Sequence, residues 1–404
     1  MAPAGSFESL MAAIQGGADS VYFGLEKLNM RARSSFHFGA GDMPRIVSIC
    51  KKHKVKTYLA LNTIVYDEDI PLVKKIIRQA KKALIDGIIA SDQAPIGLAR
   101  KENIETHLST QLNVSNLESL KFYSNYADVV VLARELTLVQ IREIAKYIKK
   151  DKITGPSGNL IRIELFVHGA LCMAISGKCY ISLHQYGASA NRGECYQACR
   201  RSYVARDTET GEEIEIDNEF ILSPKDLCTI SYIDKVIEAG ASVLKIEGRA
   251  RSPEYVKTVT SCYNEAITAC SDGSFNQEKI KQWEQQLMTV YNKGFWKGYY
   301  LGKKTTELSR IYGSAATKRK VYIGKGINYY KKIKVAEFII ENDSVGTGDE
   351  ILITGPTTGV IESIITEMHT DNGKVKKVKK GEIFSFPLTT PVRPSDKLYK
   401  VVNA

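Results

Sequence analysis

Eight short apolar runs alternate with amphipathic stretches through the first two thirds of the chain, and this rhythm constrains the fold more than any other feature. The runs are MAPA (1–4), SVYFG (20–24), KTYLALN (56–62), GIIAS (87–91), ETHLST (105–110), DVVVLA (128–133), RIELFVHG (162–169) and SVLKIEG (242–248). Between them lie helical patterns such as SFESLMAAIQGG, MPRIVSICKKHK, IPLVKKIIRQAKKALIDG, NLESLKFYSNY, TLVQIREIAKYIKK and TISYIDKVIEAG. A further helix, SPEYVKTVTSCYNEAITAC, follows the eighth run. Strands joined through helices run parallel. Eight such units predict an α/β fold, a (β/α)8 TIM-like barrel over residues 1–310, in preference to an open doubly wound sheet.

Residue parity within the runs then sorts the side chains. In SVLKIEG, Leu244 and Ile246 share one face while Lys245 and Glu247 share the other. In RIELFVHG, Ile163, Leu165 and Val167 oppose Glu164, Phe166 and His168, and in KTYLALN Leu59 and Leu61 oppose Tyr58 and Asn62. Outer faces of barrel strands pack on helices and must be apolar, so the polar sets point inward. They gather toward the C-terminal strand ends, where barrel enzymes keep their sites. His168, Lys245 and Glu247 are the candidate catalytic residues, and Asp92, Gln111, Arg134 and Glu135 fall at equivalent strand ends. A salt-bridged interior without chemistry is the plainer account of any single one.

A long insertion, 169–240, separates the seventh and eighth strands and holds Cys172, Cys179, Cys195 and Cys199 in a Cys-x6-Cys-x15-Cys-x3-Cys array. Four thiolates in polar, glycine-rich text suit a soft metal, either zinc or iron–sulfur iron. The paired Cys-x2-Cys knuckles of a zinc ribbon are absent, which favours a [4Fe–4S] cluster and leaves zinc as the alternative. Cys228, in SPKDLCTI, is the rival fourth ligand. Cys50, Cys262 and Cys270 lie in helical patterns and read as packing residues. A disulfide framework is not expected in a chain this long that opens without a signal-peptide pattern. Within the insertion, YVARDTETGEEIEIDNEFIL reads as a hairpin turning at Thr210 and Gly211.

After residue 317 the text changes to short alternating runs with turn signals, predicting a small all-β barrel over 317–404. That segment carries 15 Lys+Arg and 10 Asp+Glu, hence 15 − 10 = +5, within a chain of net charge +11. A basic protein points to a polyanionic partner, with nucleic acid foremost. The run KVKKVKK (374–380) reads either as one strand with a phosphate-binding lysine face or as a sheet edge guarded by lysine. No apolar run reaches the ~20 residues of a membrane span, and the expected location is cytoplasmic.

The segments PAGSFESLMAAIQGGADSVYFGL, HGALCMAISGKCYIS, NRGECYQACR and SVLKIEGRARSPEYV resemble the collagenase-like peptidase family of unknown catalytic type over roughly residues 1–310. The tail text GDEILITGPTTG resembles the elongation-factor-like β-barrel that ends many members. Despite the family's name, the resemblance implies oxygen-independent hydroxylation in several branches, acting on tRNA wobble uridine, an rRNA cytidine or a ubiquinone precursor. It further implies an iron–sulfur cluster and prephenate as oxygen source. The paired cysteines of GECYQACR match the RNA-modifying branches, and the length and β-barrel tail are closest to tRNA uridine 5-hydroxylation. That chemistry needs an anion site for a dicarboxylate, for which Arg192, Arg200, Arg249 and Arg251 are the candidates, since guanidinium groups bind carboxylates bidentately. The alternatives are a collagenase-like peptidase and a non-catalytic RNA-binding factor. The chain has no HExxH or GxSxG motif, and a cysteine nucleophile would need His168 or His184 as base.

Overall fold

A computed structural model describes residues 1–32, 38–214, 220 and 222–404. Strands β1 (Ala2–Pro3), β2 (Ser20–Gly24), β3 (Lys56–Leu61), β4 (Gly87–Ala90), β5 (Glu105–Leu108), β6 (Val129–Val131) and β7 (Arg162–Gly169) pair in chain order, each parallel to the next. The insertion contributes β8 (Ala205–Arg206), β9 (Glu213–Ile214) and β10 (Asp226–Cys228), and β11 (Ala241–Ile246) then pairs parallel with β7. The Met1 ammonium donates to Leu244 O at 2.7 Å and Ile246 N donates to Met1 O at 3.1 Å, which ties β11 to the start of β1. The eight expected runs all form parallel strands.

Helices α1 (Phe7–Gln15), α2 (Met43–Lys52), α3 (Ile70–Ala83), α4 (Gln93–Lys101), α5 (Leu117–Ser124) and α6 (Leu138–Lys150) fill the early crossovers. Their starts are chemically marked: Ser6, Asp92, Asn116 and Thr137 each accept a hydrogen bond from a first-turn backbone N–H. In α3, Val73, Ile76, Ile77 and Ala80 make the buried stripe expected of 3.6-residue periodicity. Later come α7 (Ile181–Tyr186), α8 (Ile233–Glu238), α9 (Pro253–Asp272) and α10 (Gln277–Thr289). Sequence reading passes over α4, α7 and α10, and also β10 with its parallel partner β12 (Phe295–Trp296).

The two faces of the sheet separate as parity predicts. Val21, Phe23, Leu59, Leu61, Ile88, Ile163 and Leu165 join the main core beneath the helices, whereas Tyr22, Tyr58 and Ile89 cluster on the inner face. That inner face also carries a chain of hydrogen-bonded polar side chains. Lys245 Nζ donates to Glu164 Oε1 at 2.6 Å, and His107 Nδ1 lies 2.6 Å from Glu164 Oε2. His107 Nε2 reaches Glu105 Oε1 at 3.0 Å, and Arg162 holds the other oxygen of Glu105 at 2.6 Å.

The tail consists of β13 (Lys318–Tyr330), β14 (Val335–Ile340), β15 (Ser344–Gly346), β16 (Glu350–Gly355), β17 (Gly359–Ile364), β18 (Met368–Thr370), β19 (Gly373–Val375), β20 (Lys377–Lys379), β21 (Ile383–Pro387) and β22 (Lys397–Asn403). These strands pair antiparallel around a core that includes Ile323, Phe338, Phe384 and Phe386. The tail docks on α1 and α9: the Gln15 side chain donates to Thr358 O at 2.9 Å and accepts from Val360 N at 2.8 Å, while Lys320 pairs with Glu254 at 2.8 Å. The single lysine-faced strand read in 374–380 is corrected. The chain changes sheets at Lys376, so β19 pairs with β18 while β20 pairs with β15. The turn read at Thr210 and Gly211 does link β8 and β9 antiparallel; residues 215–219 and 221 lie outside the described residues.

Candidate active site

At Gly169 the chain leaves β7 with φ +105°, a conformation suited to glycine, and a Cβ there would meet Glu247 O at 2.6 Å. The insertion then crosses the C-terminal strand ends and encloses a cavity of about 400 Å³. Its wall includes Cys172, Cys179, Cys195 and Cys199 from the insertion, and Tyr22, Arg134, Phe166, Lys245, Glu247, Arg249 and Arg251 from the strand ends.

Lys245, Glu247 and Arg249 share this cavity, as spacing two along the chain implies, yet Lys245 and Glu247 do not pair with one another. Lys245 is bound to Glu164, and its ammonium stands 4.7 Å from the ring centre of Tyr22. Glu247 is instead gripped by Arg31 at 2.8 Å. Burial by itself would raise the Glu247 pKa, but Arg31 and Arg251 outweigh it and hold the carboxyl down to about 2. For Lys245 burial dominates and lowers the pKa, with Glu164 opposing. Arg249 is buried and donates to Asn29 Oδ1 at 3.0 Å. Its guanidinium occupies space left by Gly24, where a Cβ would lie 2.6 Å from Arg249 Nη1.

The remaining arginine candidates divide. Arg251 lies 3.6 Å over the Tyr291 ring and faces the cavity. Arg200 also lines it, but its donors are spent on Ser223 Oγ at 3.0 Å, Pro224 O at 2.6 Å and Leu171 O at 2.8 Å, so it fastens the insertion to its own return strand. Arg192 is not among the lining residues: it pairs with Asp69 and stacks on Tyr66 at 4.0 Å. His168 requires a correction. The pairing of β7 with β11 slips between Phe166 and His168, so parity reverses and the imidazole packs among Tyr255, Tyr263 and Phe295, away from the cavity. Burial, with Arg251 adding to it, pushes its pKa down to about 3.

Sequence reading missed Arg31, Tyr22, Tyr291, Tyr312 and Lys293, which also line the cavity. Only Tyr22 carried a signal, standing opposite Val21 and Phe23 in SVYFG. Arg134 is better placed than the sequence foretold. It lies 4.1 Å over Phe166, donates from Nη1 to Ala170 O at 3.2 Å, and has a buried Nε with no protein partner. Among the described residues Arg134, Arg200, Arg249, Arg251 and Lys293 form no salt bridge, and Glu247 is the one carboxylate in the wall. The cavity is therefore strongly cationic and aromatic.

All four insertion cysteines are free thiols, with Cys172 exposed and the other three half-buried. Burial pushes the Cys199 thiol up to about 11 against Arg200, and the other three cysteines act on it electrostatically. Among the described residues no three His, Cys, Asp or Glu side chains stand close enough together to hold a metal ion, so the thiols share a wall without converging on one point. As a donor set, four sulfurs on one wall with no hard oxygen ligand among them fit a soft metal. Cys228 is not in that wall. It is buried on β10 beside the Tyr263 hydroxyl, 3.9 Å away, with its thiol pushed up to about 12 by burial. Among the described residues no histidine lines the cavity.

The family pattern described as Peptidase family U32 matches residues 5–310. A protein of Porphyromonas gingivalis named "Collagenase" is 56% identical over 99% of this chain and 97% of its own length. The "tRNA hydroxylation protein P1" of Bacillus subtilis is 32% identical over 99% of this chain and 94% of its own. A 23S rRNA 5-hydroxycytidine synthase of Escherichia coli is 36% identical over 64% of this chain and 37% of its own. With the match spanning the parallel sheet from β2 onward and the cysteine insertion, the chain belongs to peptidase family U32.

Proposed function

We propose that this protein hydroxylates a nucleoside of RNA, most specifically a tRNA uridine at carbon 5, in the cytoplasm, with prephenate as oxygen donor. Cys172, Cys179, Cys195 and Cys199 would hold a [4Fe–4S] cluster, which supplies one-electron chemistry when bound. One observation carries the reading: four thiols share a single cavity with an excess of cations over its one carboxylate, Glu247, an arrangement suited to a dianionic small molecule beside a soft-metal site. Arg249 and Arg251 would bind its carboxylates, with Arg134 Nε a further free donor. Lys245 and Glu247 would set the local charge, each held by its own partner. The hydrogen bonds of Met1 to β11 support closure of the sheet into a barrel, which puts every strand end around one mouth.

The name of the Porphyromonas gingivalis relative favours a second reading, peptide hydrolysis. It lacks a base in the cavity, since His168 faces α9 and no described histidine lines the wall. Two measurements separate the readings. Protein purified without oxygen should be brown and contain iron and sulfide, and tRNA from a deletion strain should lack a hydroxylated uridine in nucleoside mass spectrometry. Colourless protein that cleaves gelatin, together with unaltered tRNA and rRNA nucleosides, refutes the proposal.

A further inference from the structure

The insertion presents a second chemistry on its outward side. Cys179 and Cys195 line the cavity, and each is followed directly by a tyrosine, Tyr180 or Tyr196, whose ring is exposed, by 71% and 36% respectively. Tyr180, Leu183 and Tyr186 then recur at spacing three along α7, and all three are exposed. The tyrosines are held in place. Tyr186 and Tyr196 stack with ring centres 4.7 Å apart and planes at 25°, the Tyr196 backbone N–H donates to Ser182 Oγ at 3.0 Å, and the Arg201 guanidinium lies 5.4 Å over Tyr186. Residues 170–206 contain Lys178, Arg192, Arg200, Arg201 and Arg206 against Glu194 alone; with Arg192 paired to Asp69 and the Arg200 donors engaged within the insertion, Lys178, Arg201 and Arg206 are the cations left to meet a ligand.

We infer that the Tyr180, Tyr186 and Tyr196 surface is a stacking platform for an unpaired stretch of RNA, which delivers a nucleotide from the loop surface into the cysteine-lined cavity. Exposed aromatic rings beside arginines meet the two needs of a single strand, base stacking and backbone neutralisation. A base within a duplex offers no free face to such rings and cannot reach an enclosed cavity. An apolar peptide groove would not require this excess of positive charge. The inference rests on the RNA-modifying reading and narrows its substrate to an unpaired segment.

The test is fluorescence anisotropy with full-length protein purified without oxygen. The probes are a labelled RNA hairpin with a uridine-containing loop, the same sequence closed into a continuous duplex, and a labelled gelatin peptide. Each of Tyr180→Ala, Tyr186→Ala and Tyr196→Ala should weaken hairpin binding roughly fivefold or more. The matching phenylalanine variants should bind within about twofold of wild type, because stacking survives loss of the hydroxyl. The duplex should bind more weakly than the hairpin and should not respond to the substitutions. Thermal melts should show Tyr180→Ala matching wild type, since that side chain is largely exposed, and Tyr186→Ala and Tyr196→Ala folded with only the small loss expected of one aromatic stack. Hairpin binding by wild type that is unaltered in all three alanine variants overturns the platform and leaves the RNA reading intact. Gelatin binding with no hairpin binding by wild type overturns both.

Discussion

Glu164 is the residue on which the buried charge of the inner face depends, and replacing it with glutamine gives a measurable magnitude. Its two oxygens accept from Lys245 and His107, each at 2.6 Å, and the side chain is fully buried. Burial alone would raise its pKa, but Lys245 and His107 outweigh that and hold it down from 4.5 to about 2. At ~1.4 kcal/mol for each pKa unit, this difference is worth about 3 kcal/mol of stability at neutral pH. Breaking a buried ion pair by removing one partner costs ~3–5 kcal/mol, which agrees. Glu164→Gln puts an amide N–H2 against a donor and leaves one cation without its countercharge, so urea unfolding at pH 7 should show a loss of about 3 kcal/mol. The pH dependence carries a fixed sign. A carboxyl whose folded pKa is depressed contributes fully above its unfolded pKa, here 4.5, and loses that contribution as pH falls toward 2. At pH 3 the gap between wild type and variant should therefore be clearly smaller than at pH 7. A gap that stays constant from pH 7 to pH 3, or one below about 1 kcal/mol at pH 7, would show that the ion pairs do not act as described.

Serine at any of Cys172, Cys179, Cys195 or Cys199 should remove most of the iron and sulfide from protein purified without oxygen, while Cys228→Ser should retain them, because Cys228 is buried outside the cavity wall. Arg249→Ala should raise the prephenate concentration needed for half-maximal tRNA hydroxylation by roughly tenfold, as expected for one lost charge-assisted bond of ~1.5–3 kcal/mol, and wild-type dependence would remove Arg249 from the site. Gly24→Ala should mimic that defect and also lower thermal stability, since the added Cβ falls 2.6 Å from both Arg249 Nη1 and the Cγ of buried Asn29; a variant with unchanged concentration dependence would show that the guanidinium position is not critical.

The inward polar set was legible because parity is a local property: one residue's side fixes its neighbours' sides until the pairing slips. That is why Tyr58, Glu164, Lys245 and Glu247 fall where SVLKIEG, RIELFVHG and KTYLALN put them, and why His168 does not. The slip in pairing after Phe166 depends on how β11 and β10 meet the end of β7, contacts made by residues about 60 to 80 positions away. Helix α4 escaped notice for a different reason. Its buried set is only Pro95, Ile96 and Ala99, too sparse a stripe to register, although the Asp92 cap marks its start.

Partner choice across the inner face was not legible at all, and it separates the site from its support. Nearer the strand starts, the polar groups satisfy one another: Arg162 with Glu105, Glu105 with His107, His107 with Glu164, and Glu164 with Lys245. Beyond Lys245 the pairing thins: Glu247 is bound by Arg31 and acts on Arg134, Arg249 and Arg251 only at longer range, and among the described residues none of these three forms a salt bridge. In a low-dielectric enclosure that excess of cations is costly unless an anion joins it. The spacing of Lys245, Glu247 and Arg249 looks the same on the page whichever way they pair. Only the three-dimensional pairing reveals that Lys245 ends a salt-bridged network while Arg249 stands outside it, and the anionic ligand proposed above would bind at that outer end, next to the cysteines.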